Sequence, residues 1–191
     1  MKKTTVFKQV LSHLTVHAVA CLFIFLVMVP IIGGVASYPT VSLCVAVVMA
    51  VVYAGILFGT SYECAYSDHK TYSKLKPYPL KGLVLSLGVV IPVALAWAFY
   101  AIAWKVAPIP EAATSQAQIP LLTFTANMLY SFITAPFWDL VDIKGGNASL
   151  TGQIISLVVP AAACFAGYYL GYIKVDFTKY INKLMYDKKK K

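Results

Sequence analysis

Two histidines one helical turn apart, His13 and His17, are the first residues whose types and spacing could do chemistry. At i and i+4 on one helix face they could ligate a metal, but such a site needs a third or fourth ligand and His69 is the only other histidine. Glu63, Cys64, Asp68 and His69 lie close together in the chain and could supply the missing ligands. The preferred reading is of polar residues near lipid headgroups, so no metal and no other cofactor is expected. Cys21, Cys44, Cys64 and Cys164 show no CxxC or Cys/His spacing, and three of them fall inside apolar runs. They are expected to act as small hydrophobes rather than as a redox pair.

A neutral polar set is the second candidate. Read as a helix, Thr123, Asn127, Ser131 and Thr134 share one face with Tyr130 beside them, while Leu121, Phe124, Met128, Leu129, Phe132 and Ile133 occupy the rest. Such a stripe can line a cavity for an uncharged polar ligand or can serve helix packing. The sequence contains no GxSxG, HExxH, Walker A or EF-hand pattern. All 16 basic residues are lysine, which removes the bidentate guanidinium from any recognition scheme. The chain is therefore expected not to be an enzyme.

The elements that would position these residues follow from composition. The 191 residues are 60% hydrophobic and 12% charged, with a mean hydropathy of +0.74, well outside the soluble balance. Apolar runs over about 10–33, 41–60, 82–106 and 150–173 each reach the length needed to cross a hydrocarbon core. The predicted fold is an all-α, polytopic transmembrane helix bundle of four spans. A short amphipathic or re-entrant helix over about 121–135 is expected on its outer side, within a segment 107–149. The lysines set the orientation. Apart from Lys105 and Lys144, all of them fall before the first span, in the loop 61–81, or in the tail 174–191. The positive-inside rule then puts both termini in the cytoplasm and keeps 121–138 from crossing. Pro120 and Pro136 bound that stretch, which is expected to lie at the interface with Phe137 and Trp138 at headgroup level; the alternative is a re-entrant element lining water.

The net charge of +9 punctuates apolar runs instead of forming a basic face, so nucleic acid is not an expected partner. Met1-Lys2-Lys3 before an apolar run and the small residues Gly34-Val35-Ala36 resemble a signal peptide, but the run is too long for one. Cleavage there would leave three spans in the same orientation. Pro30, Pro92 and Pro160 interrupt three spans, as ordinary bundles tolerate. No span carries Asp, Glu, Lys or Arg at its centre, which argues against ion coupling through a buried charge.

Two Gly-xxx-Gly pairs mark close helix approach: Gly55 with Gly59, and Gly167 with Gly171, extended by Ala46, Ala50 and Ala163. Both are expected to pack within the monomer, with the same signature open to a homo-oligomer or a larger membrane partner. Lys70, Lys74, Lys76 and Lys81 among tyrosines, and Lys188, Lys189, Lys190 and Lys191 at the end of a basic amphipathic tail, are expected to meet anionic lipid headgroups on the cytoplasmic side. Asn147-Ala148-Ser149 matches a glycosylation acceptor, a pattern too short to carry weight.

The stretch Tyr62-Glu-Cys-Ala-Tyr-Ser through Lys81-Gly-Leu, together with Ala166-Gly-Tyr-Tyr-Leu-Gly-Tyr, resembles small multi-pass membrane proteins of low-GC Gram-positive bacteria. The all-lysine composition fits such an origin. The resemblance covers the second half of the second span, its loop and the last span; it implies a bacterial cytoplasmic membrane and no particular activity. The function expected is that of a non-enzymatic accessory or interaction subunit of a membrane assembly. The alternative is a small transport or substrate-binding component with an outward-facing neutral cavity.

Overall fold

A computed structural model describes residues 5–35, 39–70, 75–108, 120–137 and 150–175, with 28–35 and 39 by backbone only. Among these, the regular elements are α1 (Val6–Val35), α2 (Pro39–Asp68), α3 (Lys81–Val106), α4 (Leu121–Ile133), a 3₁₀ turn (Ala135–Phe137) and α5 (Leu150–Tyr172). The chain is an all-α bundle with four helices long and apolar enough to cross a membrane, and α4 is a shorter fifth. It reads as a multi-pass membrane protein. Lys74, Trp138, Asn147 and Lys188 to Lys191, to which the sequence assigns roles, lie outside the described residues.

α2 continues two turns past Thr60, the expected end of its span, and so carries Glu63, Cys64 and Asp68 on helical register. α3 and α5 run on through Pro92 and Pro160. α3 is central: it packs on α1, α4 and α5, while α5 also lies along α2. Lipid chains are as apolar as leucine, so backbone proximity and polar contacts, not solvent exclusion, must hold such helices together. Glycines mark the crossings. A Cβ on Gly82 would meet Phe165 Cα at 2.7 Å, one on Gly88 would meet the Val10 carbonyl of α1, and one on Gly167 would meet the backbone of Phe58.

The ends at which Lys8, Lys76 and Lys81 lie form the lysine-rich end of the bundle. There α5 closes with a Val175 N–H to Leu170 carbonyl bond, Lys174 taking the left-handed conformation usual for glycine (φ 59°). The Tyr62 hydroxyl donates to the Val175 carbonyl at 2.5 Å, and His69 Nε2 donates to the Tyr172 carbonyl at 2.9 Å. Both clamps tie the end of α5 to the end of α2.

α4 does not lie flat across the opposite end. The Thr123 hydroxyl donates to the Ala107 carbonyl at the far end of α3, and Tyr130 stacks on Tyr100 two α4 turns deeper, with ring centroids 4.9 Å apart. Deeper still, Phe137 meets Tyr53 edge-on at 5.7 Å, halfway along α2. The element therefore re-enters the bundle instead of resting at its surface. Ala135, Pro136 and Phe137 are all buried, which is what non-helical backbone at this depth requires.

Candidate functional site

On α1, Gln9, His13, His17 and Cys21 recur every four residues and so form one buried polar face about 18 Å long at 1.5 Å per residue. α2 answers it with Asp68, Ser61 and Tyr53, also buried. The two helices run in opposite directions, so the pairs stack as rungs.

The first rung joins all four long helices. Asp68, the last residue of α2, accepts from Lys81 Nζ at 2.5 Å and from the Tyr168 hydroxyl at 2.8 Å on Oδ2, and from Gln9 Nε2 at 3.0 Å on Oδ1. Asp68 is 4% exposed and Lys81 fully buried. Each charge sits at the helix end whose partial charge has its own sign: a carboxylate at the C-terminus of α2 and an ammonium at the N-terminus of α3. Neither would stay buried alone, and together they neutralise both the helix ends and each other. The Gln9 amide is half used, because its Oε1 is buried without a donor.

The second rung is His13. Its Nδ1 donates to the Gln9 carbonyl at 2.9 Å, and in that tautomer Nε2 accepts from the Ser61 hydroxyl at 2.9 Å. In the third, the Tyr53 hydroxyl and His17 Nδ1 are 2.7 Å apart, and the Cys21 thiol donates to the Ile133 carbonyl at 3.3 Å, fastening the end of α4. Every ring nitrogen named here faces a protein group rather than a vacant coordination position. Among the described residues no group of three or more His, Cys, Asp or Glu is placed to hold a metal.

Compared with protein-family models, curated proteins and solved structures, the chain matches none.

The residues singled out in the sequence divide sharply. Gly167 and Gly171 are buried where α5 crosses α2; a Cβ on Gly171 would meet Ala65 Cβ at 2.7 Å, and half-buried Ala163 packs on the main core. Among the described residues, Gly55 and Gly59 have nothing within 4 Å of their Cβ positions. The α5 pair thus sits at a helix crossing, whereas the α2 pair, expected to pack within the monomer as well, is exposed at Gly55 and half-buried at Gly59. Lys81 is corrected too: a fully buried ammonium bound to Asp68 cannot reach a headgroup. Lys70, over the Tyr66 ring at 5.4 Å, and Lys76 are exposed.

Of the neutral stripe, Thr123, Ser131 and Thr134 are buried, and the Thr134 hydroxyl donates to the Tyr130 carbonyl at 2.7 Å. Asn127 Oδ1 and the Tyr130 hydroxyl are buried without a partner. Sequence reasoning missed Gln9, Ser61, Tyr53, Asp68 with Lys81, and Tyr168 as one system. The four-residue recurrence on α1 was the available signal.

Proposed function

We propose that this chain is a non-enzymatic membrane protein that works by lateral association, as an accessory or interaction subunit of a larger assembly. One observation carries the reading: a Cβ on Gly55 or on half-buried Gly59 would meet no neighbour within 4 Å among the described residues, while Gly82, Gly88, Gly167 and Gly171 all sit at close helix contacts. Helical glycine costs about 1 kcal/mol relative to alanine. Four of these glycines recover that cost inside the monomer, and two have no such return without a second helix. Val48 and Val51, both exposed, extend the same apolar face. By the lysine distribution the protein lies in a cell membrane with both termini cytoplasmic.

The test is native mass in mild detergent for wild type and a Gly55→Ile/Gly59→Ile variant. A Cβ at either position meets no neighbouring atom within 4 Å among the described residues, so the fold should persist while the associated species disappears. A wild type that emerges alone and monomeric from repeated affinity purification would sink the proposal.

The orphaned Asn127 Oδ1 and Tyr130 hydroxyl favour a second reading, a transport component with a wet cavity beside α4. It predicts that Asn127→Cys, with the native cysteines replaced, reacts with a water-soluble maleimide. Complete protection would remove this reading.

A further inference from the structure

Among the described residues none of the close glycine contacts falls between α1 and α2, and two cavities open along the seam these helices leave. At the lysine-rich end a cavity of about 310 Å³ is lined by Lys8, Gln9, Ser12, Glu63 and Ser67 among others. On the succeeding turns an apolar groove of about 400 Å³ runs past Val16, Ala20 and Ile24 of α1 and Met49, Val52 and Ile56 of α2. We infer that this seam binds one aminophospholipid of the leaflet at the lysine-rich end, its headgroup in the polar cavity and one acyl chain in the groove.

The headgroup follows from the polar groups present. Gln9 is 6% exposed and gives its amide N–H to Asp68, which leaves Oε1 as a buried acceptor in want of a donor. Glu63 brings a carboxylate to the same cavity, so a primary ammonium, with three N–H groups, pairs with it and gives an N–H to Oε1 once the Gln9 amide turns into the cavity its residue lines. Lys8 and the hydroxyls of Ser12 and Ser67 suit the phosphate. A quaternary ammonium has no N–H to give Gln9, and a purely anionic headgroup meets Glu63 with like charge. The length agrees as well. From Lys8 to Ile24 the seam runs ~24 Å along α1, close to the ~20–23 Å of one leaflet with its headgroup.

The experiment uses the full chain in mild detergent, titrated with phosphatidylethanolamine, phosphatidylcholine or phosphatidylglycerol of identical acyl chains, with bound lipid counted by native mass spectrometry. One phosphatidylethanolamine should be retained with a preference of about tenfold, the scale of one charge-assisted hydrogen bond. Glu63→Gln, an exposed change, should erase that preference with an unchanged melting temperature. Val52→Trp, at a half-exposed position in the groove, should abolish retention of all three lipids. Equal retention of the three by wild type, an unaltered preference in Glu63→Gln, or a second copy of the chain cross-linked into the seam in place of lipid would each overturn the assignment. Gly55 and Gly59 do not line the seam, so such a failure would leave the association reading standing.

Discussion

The same Gly-xxx-Gly spacing meets two different surroundings, on α5 where it packs against α2 and on the other side of α2. Towards α5 its backbone at Phe58 and Tyr62 is met by Gly167 and Gly171, and its last residue, Asp68, takes hydrogen bonds from α1, α3 and α5. On the other side its own Gly55 and Gly59 meet nothing. The closed face shows what small residues accomplish in this bundle: they let backbones touch, and a polar tie then fixes the register. The open face carries the first half of that arrangement without the second helix.

Substitutions can break or sharpen this contrast, beginning with the tie. Lys81→Met leaves the Asp68 carboxylate buried and uncompensated and should cost about 3–5 kcal/mol, read as thermal unfolding in detergent. Adding Asp68→Asn to Lys81→Met should recover part of that loss, since the stranded charge is gone. If Lys81→Met were neutral, the closed face would rest on packing alone. Gly167→Ala drives a methyl into the Phe58 backbone and should cost about 1–3 kcal/mol. Tyr168→Phe deletes one hydrogen bond to a charged group, worth about 1.5–3 kcal/mol at a site where two other donors remain, so the lower end is expected. Gly55→Ala should raise monomer stability by up to about 1 kcal/mol, since it adds helix propensity and its Cβ meets no neighbour.

Much of the fold was legible in the sequence because hydrocarbon thickness imposes long apolar runs, and those runs became α1, α2, α3 and α5. The α4 stretch was legible as a helix and less so in depth. An interfacial helix and a re-entrant one share the same amphipathic pattern, and only contacts such as Phe137 on Tyr53 and the Cys21 thiol on the Ile133 carbonyl separate them. Lysines were read by their place relative to the spans, which describes exposed Lys70 and Lys76 but not Lys81. Its partner, Asp68, lies 13 positions earlier, and their meeting depends on how the α2–α3 connection folds back. The two Gly-xxx-Gly pairs were indistinguishable as sequence, because the spacing specifies a helix face and not what covers it.

The most direct test of the association reading is photo-crosslinking in native membranes. A photoreactive side chain is placed at Gly59 on the open face, or as a control at Leu95, which is 65% exposed on α3. A discrete protein adduct is expected from position 59 and none from position 95. No adduct from either position, or equal adducts from both, would contradict the association reading.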